Sequence, residues 1–186
     1  MKADASLFRG QLVRLAAHDP GDAHTIARWT DNSEYMRLID TDPARPLTVE
    51  QVAERYGHSD PTSFYFGLRT LADDRLIGFV ALHSIEWANG AATFSMGIGD
   101  PADWGRGYGG DALNLTMRYA FAELSLHRVG VEMIATNTRI IRLIERAGFQ
   151  HEGRIREAVH RDGSRVDLVL MGMLRRDWEA AQAQEG

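Results

Sequence analysis

The stretch that decides the fold of this chain reads Asp103-Trp104-Gly105-Arg106-Gly107-Tyr108-Gly109-Gly110-Asp111-Ala112. Four glycines within six positions lie between an apolar, strand-like run at 92–98 and an amphipathic helical pattern at 111–124. A glycine-rich turn at a helix start directs several free backbone N–H groups at one point, and the helix dipole adds about half a positive charge there. Because glycines also let an anion approach the backbone closely, the stretch predicts a phosphate site.

Two well-known phosphate-binding motifs fit this stretch poorly. A Walker A loop ends in Gly-Lys-Ser/Thr, whereas Gly110 is followed here by Asp111, which disfavours a nucleotide triphosphatase. A dinucleotide fingerprint, Gly-x-Gly-x-x-Gly, does match at Gly105, Gly107 and Gly110. That fingerprint should follow its strand almost at once, but residues 100–104 intervene, and a strand-turn-strand pattern precedes it instead of a βαβ unit.

A third motif fits better. Residues 104–109 resemble the pyrophosphate loop of the GNAT superfamily of N-acetyltransferases, Gln/Arg-x-x-Gly-x-Gly/Ala. Residues 137–149, from Asn137 to Gly148-Phe149, resemble the Asn-to-Gly-Phe helix of that superfamily, and residues 150–174 contain segments similar to its ribosomal-protein-alanine and polyamine branch. The resemblance covers about residues 8–178. It implies one N-acetyltransferase domain over 1–186, with an α+β fold in which helices flank a mixed, mostly antiparallel central sheet.

The hydrophobic pattern predicts the order of elements that this fold needs. Asn89-Gly90 is a hairpin signal, Thr48-Val49-Glu50-Gln51 is a capping pattern that opens a helix, and Asn137 is placed to cap another. Strands are predicted at 12–15, 64–68, 76–85, 92–98, 129–135, 149–158 and 166–174, and helices at 19–29, 48–56, 111–124 and 137–148.

Composition limits the partners. The 186 residues include no cysteine, which excludes disulfides and a catalytic thiol, and the net charge of −5 mildly favours a cationic substrate over nucleic acid. No apolar run is long enough to cross a membrane, and residues 1–6 lack the apolar stretch of a signal peptide, so we expect a cytoplasmic protein with no membrane partner. The histidines show no ligand spacing, so we predict no metal site. A homodimer is one oligomeric state left open.

The resemblance implies how the co-substrate acetyl-CoA is held. The backbone of Met96, Gly97 and Ile98 would pair with the pantetheine arm, and Asn137 would contact it as well. Gly97 and Gly99 would ease a bulge that splays this strand from the next and opens a cleft.

The pyrophosphate would be held by the glycine loop, whose predicted contact residues are Trp104, Gly105, Arg106, Gly107, Tyr108, Gly109 and Gly110. Trp104 stands where the superfamily often has Gln or Arg, so here only its backbone is expected to serve. Arg106 either touches a phosphate or is a solvated loop charge.

Acetyl transfer to an amine also needs a neutral amine and a stabilised thiolate. A free alkylamine has a pKa of about 10, so a base or a desolvating site must help. The superfamily often protonates the thiolate from a tyrosine four residues before Gly-Phe, or from a serine three residues after the asparagine. Those positions hold Ile144 and Ile140 here. Water or the proton of the attacking amine would then take this role, and Ile144 is expected to pack in the core or line the cleft.

Two carboxylates are candidate bases. Glu86 ends the strand next to the proposed cofactor strand and is predicted to face the cleft; its alternative is a solvated hairpin charge. Glu132 lies in the middle of a strand, where a charge is costly unless it is used or paired, with Arg128 or Arg154 as partners. His83 alternates with apolar residues, which is more typical of a structural sheet histidine than of a base.

The sequence therefore favours an N-acetyltransferase that moves the acetyl group of acetyl-CoA to a primary amine. A protein N-terminal amine of the ribosomal-protein type is preferred, with a polyamine or an aminoglycoside as alternatives. A second hypothesis is a non-catalytic acyl-CoA-binding or sensing module, which the missing tyrosine and serine motivate.

Overall fold

A seven-stranded sheet organises the chain in a computed structural model that describes residues 6–56 and 60–184. The strand order across the sheet is β1-β2-β3-β4-β5-β7-β6. The strands are β1 (Val13–Ala16), β2 (Phe64–Thr70), β3 (Leu76–Glu86), β4 (Ala91–Ile98), β5 (Arg128–Ile134), β6 (Gln150–Arg161) and β7 (Ser164–Leu174). Residues 1–5, part of the segment expected to lack a signal peptide, lie outside the described residues.

Six α-helices flank the sheet within the described part of the chain: α1 (Asp22–Thr30), α2 (Ser33–Ile39), α3 (Val49–Tyr56), α4 (Tyr108–Arg118), α5 (Thr138–Arg146) and α6 (Arg175–Gln184). Every strand pair is antiparallel except β4 with β5, which is parallel. The expected α+β class, with a mixed and mostly antiparallel sheet, is confirmed. In these described residues no helix is both long and apolar enough to span a membrane.

The caps show why the helices begin where they do. Thr48 and Gln51 exchange bonds at the start of α3, with Thr48 N–H donating to Gln51 Oε1 at 3.0 Å and Gln51 N–H donating to Thr48 Oγ1 at 3.3 Å. This is the predicted capping pattern. The sequence did not predict α2, whose N-terminal N–H groups at Glu34 and Tyr35 donate to Asn32 Oδ1. At seven residues it is too short to show a clear apolar period.

The two faces of the sheet are covered differently. On one face, Met96 lies towards Gly109 of α4 and Leu143 of α5, and apolar side chains of these helices and the sheet form the main core. On the other face, Gly97 lies against Tyr35 and Ile39 of α2. Helices α1 to α3 thus cover the opposite face near the end of β4.

The sheet opens between its two middle strands. β4 pairs with β5 only from Ala91 to Thr93, whereas it stays paired with β3 as far as Ile98. The predicted bulge at Gly97 is wrong, since the β3–β4 register is unbroken there and shifts instead between His83 and Glu86. Packing explains these two glycines instead. Gly97 lies against α2, and a Cβ on Gly99 would lie 2.0 Å from the Trp29 ring. The splay leaves a cleft between the ends of β4 and β5.

Candidate functional site

A cleft of about 440 Å³ lies where β4 and β5 diverge, bounded by the glycine loop, the start of α5 and the end of α2. It brings together nearly all of the predicted co-substrate residues, namely Met96, Gly97, Ile98, Trp104, Gly105, Gly107, Tyr108, Gly109, Gly110 and Asn137. The loop residue Arg106 is exposed and does not line it. One continuous stretch of the chain, residues 104–110, therefore supplies the end of the cleft that was predicted to bind phosphate.

The glycine loop turns the chain sharply into α4. A 3₁₀ turn at Pro101–Asp103 leads into it, and Gly105 and Gly107 adopt left-handed backbone angles, with φ of +77° and +87°. Gly107 is the N-cap of α4, so the helix begins at Tyr108, three residues before the predicted start at 111. The first-turn N–H groups of a helix have no partner within the helix. Here the residues of that turn line the cleft, which makes this end of it suited to an anion.

A buried carboxylate anchors the loop. The side chain of Asp103 is 4% exposed and accepts two hydrogen bonds from the Arg75 guanidinium, at 2.7 and 2.9 Å. These bonds from Arg75 hold the pKa of Asp103 below its ordinary value. The ion pair ties the loop to the turn between β2 and β3, and it neutralises a negative charge that would otherwise lie beside the predicted anion site.

Two of the loop glycines have a packing role as well. A Cβ on Gly109 would lie 3.2 Å from Met96 Cε and 3.3 Å from Leu143 Cδ2, and one on Gly110 would lie 3.7 Å from Leu143 Cδ1. The absence of these side chains lets α4 approach α5 and the end of β4. Sequence reasoning assigned these glycines to phosphate binding alone, because the packing partner Leu143 lies in a distant segment.

Trp104 is held in a defined position. Its Nε1–H donates to the Ile98 carbonyl at 2.8 Å, and the Cζ atom of Arg139 lies 4.1 Å from the centre of its ring. Arg139 lines the cleft beside the loop. The tryptophan thus holds a guanidinium at the place where the superfamily often has a polar side chain of the loop itself. The sequence pattern gave no indication of Arg139, since the contact joins residues from two separate elements.

Asn137 connects α5 with α2. Its Oδ1 accepts from Ile140 N–H at 3.4 Å, which confirms the predicted N-cap, and its Nδ2 donates to the Leu38 carbonyl at 3.5 Å. Ile144 is fully buried in the core, as expected, whereas Ile140 lines the cleft. Hydroxyl groups of the cleft lining belong to Tyr35, Thr41, Ser95 and Tyr108.

Glu86 does not reach the cleft, so the expectation that it faces the cleft is wrong. Its side chain is exposed and accepts from Asn89 Nδ2 at 2.6 Å, within the β3–β4 turn. It lines a neighbouring groove of about 250 Å³ instead. The physical reason is its position along the strands: Glu86 lies opposite Ala91, where β4 is still paired with β5, whereas the cleft opens beyond Thr93.

Glu132 lies where the cleft and this groove meet, because it lines both. Its expected pairing with Arg128 or Arg154 is wrong: Arg128 pairs with Glu152, and Arg154 pairs with Asp167 at 2.9 Å. The Glu132 side chain is exposed although it lies mid-strand. A carboxylate is therefore presented at the open side of the cleft, where it can attract a cation.

Within residues 6–56 and 60–184, no group of three or more His, Cys, Asp or Glu side chains is arranged to hold a metal ion.

Known proteins resemble this chain in sequence and in fold. A family model described as acetyltransferase (GNAT) domain matches residues 13–150. The probable N-acetyltransferase YjcK of Bacillus subtilis is 36% identical over 116 residues, covering 62% of this chain and 64% of that protein. The putative ribosomal N-acetyltransferase YdaF of the same organism is 33% identical over 166 residues, covering 89% of this chain and 87% of that protein.

A solved structure shares the fold over nearly the whole chain. It is the crystal structure of spermidine N-acetyltransferase from Vibrio cholerae in complex with CoA and spermine. Its TM-score is 0.82 at 25% identity, and the match covers 90% of this chain and 98% of that one.

Proposed function

This chain belongs to the GNAT acetyltransferase family, its domain is that of an acetyl-CoA-dependent N-acetyltransferase, and we propose that its acceptor is the primary amine of a cationic molecule. The observation that carries the proposal is the cleft between β4 and β5, which has an anion-binding helix start at one end and the Glu132 carboxylate at its open side. One end of the cleft suits the phosphates of acetyl-CoA, and the other suits an ammonium group.

The residues present fit the co-substrate. We propose that the backbone from Gly105 to Gly110 binds the pyrophosphate, since the left-handed Gly105 and Gly107 aim this turn at the cleft and carry no side chain that would block it. Met96, Gly97 and Ile98 would hold the pantetheine arm along the unpaired edge of β4, with Asn137 opposite. Arg139, stacked on Trp104, would add a positive charge near the phosphates.

The acceptor must lose a proton before it can attack the thioester. An alkylammonium is almost fully protonated at neutral pH, since its pKa is about 10. The exposed Glu132 carboxylate would draw this cation to the mouth of the cleft. The partly apolar interior would then favour the neutral form of the amine over its charged form.

Among amines, we propose the free amino terminus of a protein as the preferred acceptor. The similarity to YdaF, a putative ribosomal N-acetyltransferase, extends over 89% of this chain and supports this choice. Polyamine acetylation is the second candidate, supported by the shared fold with a spermidine N-acetyltransferase that was crystallised with CoA and spermine. The negative charge of this chain suits either cation.

Thiol release from acetyl-CoA tests the proposal directly. The acceptors would be an alanine-initiated peptide, spermidine, spermine and an aminoglycoside, with the Nα-acetylated peptide as the matched control. We expect turnover with the free peptide and none with the blocked one. A kcat/KM for spermidine at least tenfold higher than that for the free peptide would instead make a polyamine the preferred acceptor. Tight acetyl-CoA binding without thiol release for any amine would support the non-catalytic module instead.

A further inference from the structure

A histidine connects the cleft with the neighbouring groove. His83 Nε2 lies 2.8 Å from Ser95 Oγ, and His83 Nδ1 lies 3.2 Å from Ser84 Oγ. Ser95 lines the cleft, whereas Ser84 lines the groove that also contains Glu86. Both ring nitrogens of a partly buried imidazole are therefore engaged, and one of them reaches the cleft through a single hydroxyl.

The strand pairing explains why these three side chains meet. Ser95 of β4 lies opposite Ala81 of β3, and His83 lies opposite Thr93, so His83 and Ser95 are diagonal neighbours on one face of the sheet. Ser84 has a φ of +52°, a left-handed conformation that is unfavourable for a non-glycine residue. Ser84 lies at the register shift of β3, and its hydroxyl lies beside His83 Nδ1.

The charge state of the imidazole suits a proton acceptor. Burial lowers the pKa of His83 below its ordinary value, and the Glu132 carboxylate offsets part of that change. The ring is then neutral at neutral pH. The arrangement that uses both bonds has Nδ1–H donating to Ser84 Oγ, which leaves Nε2 to accept from Ser95 Oγ–H. The lone pairs of Ser95 Oγ remain available to the cleft.

We propose that His83, acting through Ser95, takes the first proton of the acceptor ammonium; this inference rests on the proposed function. An N–H bond of the ammonium breaks and its proton passes to Ser95 Oγ, while the hydroxyl proton of Ser95 passes to His83 Nε2. The resulting imidazolium is stabilised by the Glu132 carboxylate.

The remaining steps of the reaction need no tyrosine or serine as an acid. The neutral amine attacks the thioester carbonyl, and a C–N bond forms. As the C–S bond breaks, the second proton of the amine passes to the leaving sulfur. After the products leave, the imidazolium returns its Nε2 proton through Ser95 to solvent, and the starting tautomer is restored. The isoleucines at 140 and 144 are compatible with this route, because no side-chain acid is required.

The charges around His83 define what a pH profile would report. Groups on the same face of the sheet, or at its end, are Tyr65 of β2, Glu86 of β3, Glu132 and Arg128 of β5, and Glu152 of β6, which pairs with Arg128. Among these, the Glu132 carboxylate raises the pKa of His83. A pH profile of the wild type must therefore be compared with that of a variant lacking the imidazole.

The test compares His83→Gln, Ser95→Ala and Ser95→Thr with the wild type, and uses His24→Gln, an exposed position on α1, as the matched control. General-base assistance typically contributes about 10²-fold or more. We expect kcat to fall by roughly 10²-fold in His83→Gln and Ser95→Ala, with the amine KM and acetyl-CoA affinity within about twofold of the wild type. Ser95→Thr, which keeps the hydroxyl, should restore most of the rate.

The pH profile separates a proton acceptor from a structural histidine. In the wild type, kcat should level off above the pKa of His83, whereas in His83→Gln it should keep rising towards the pKa of the free amine, near about 10. A His83→Gln variant with wild-type kcat and profile, or a Ser95→Thr variant as slow as Ser95→Ala, overturns the relay. If His83→Gln fails to fold, the comparison of Ser95→Ala with Ser95→Thr decides whether the relay operates. A wild type that acetylates no amine overturns the proposed function, and the relay with it.

Discussion

One end of the cleft is formed mainly by backbone groups and the other mainly by side chains. The proposed phosphate end consists of backbone: a loop with two left-handed glycines, Gly105 and Gly107, followed at once by the start of α4. The proposed acceptor end consists of side chains from segments far apart in sequence. Glu132 comes from β5, Ser95 from β4 and Asp40 from the end of α2. One stretch specifies the first end, whereas tertiary packing assembles the second.

Distant contacts hold the acceptor end in place. The Arg161 guanidinium, at the tip of the β6–β7 hairpin, donates to the Asp40 carbonyl at 2.6 Å and to the Thr41 carbonyl at 3.3 Å. Arg37 of α2 pairs with Asp162 of the same tip at 2.6 Å. The wall of the acceptor end thus depends on a hairpin more than a hundred positions away in the chain. The comparison predicts that backbone changes harm the phosphate end and that charge changes harm the acceptor end.

The largest effect is expected from Gly107→Val. A valine at φ +87° is strained, and its Cβ would lie 3.1 Å from Leu12 Cδ1, so the loop must rearrange and its N–H groups no longer converge. Acetyl-CoA binding, measured by calorimetry, should weaken by at least tenfold, or about 1.4 kcal/mol.

Gly163→Val is the matched control for this variant. Gly163 also has a left-handed φ, of +76°, but it lies in the β6–β7 turn and does not line the cleft. This variant should carry similar backbone strain and leave the acetyl-CoA affinity unchanged. Equal affinity in Gly107→Val and the wild type would remove the loop from the phosphate site. NADH binding tighter than that of coenzyme A would favour the dinucleotide alternative.

The next effect belongs to the acceptor end, in Glu132→Gln. Removing the carboxylate should raise the KM for a cationic amine by about tenfold and leave acetyl-CoA affinity unchanged, with a smaller difference at high salt. The carboxylate raises the pKa of His83, so its loss lowers that pKa, and the acid limb of the kcat profile should move to lower pH.

Steady-state kinetics with a charged and an uncharged amine measure this effect. Glu54→Gln, an exposed carboxylate on α3, is the control for a simple change in net charge. If Glu132→Gln and Glu54→Gln raise KM equally, the acceptor end does not depend on the local charge of Glu132.

The same contrast explains what the sequence could predict. The strands, the cap at Asn137, the capping pair of α3 and the glycine loop are local patterns, and the structure reproduces them with shifts of a few residues. The start of α4 moved from 111 to Tyr108 because the left-handed Gly107 already turns the chain into the helix. Local patterns were sufficient where backbone geometry determines the structure.

Side-chain direction could not be predicted in the same way. Glu86 was placed in the cleft because it ends the strand next to the proposed cofactor strand, but it lies at the end where β4 and β5 are still paired and therefore lines the neighbouring groove. Arg139 was missed because its contact with Trp104 crosses from α5 to the loop. Glu132 was expected to be paired, but Glu152 and Asp167 take the two arginines. Each of these outcomes depends on which distant segments meet.

A smaller effect is expected from Arg139→Ala. An exposed ion pair is worth up to about 1 kcal/mol, so losing the guanidinium that Trp104 holds beside the loop should weaken acetyl-CoA binding by up to about fivefold. Arg142→Ala removes an exposed arginine of α5 that does not line the cleft, and it should leave binding within error of the wild type. If both variants weaken acetyl-CoA binding equally, Arg139 acts only through the overall positive charge of α5 and not through a defined position beside the loop.

The smallest effect is expected from Glu86→Gln. Its carboxylate is exposed, accepts from Asn89 within its own turn, and lines the groove instead of the cleft. A general base would lose roughly 10²-fold or more in kcat on this change, and an attracting charge at the cleft would raise the amine KM. We expect neither parameter to change by more than about twofold, because the exposed carboxylate does not line the cleft and its charge is screened by solvent. Rate measurements across pH would show the same profile as the wild type. A large loss of kcat would mean that the groove, and not the cleft mouth at Glu132, receives the amine, and the acceptor end would have to be reassigned to the other side of His83.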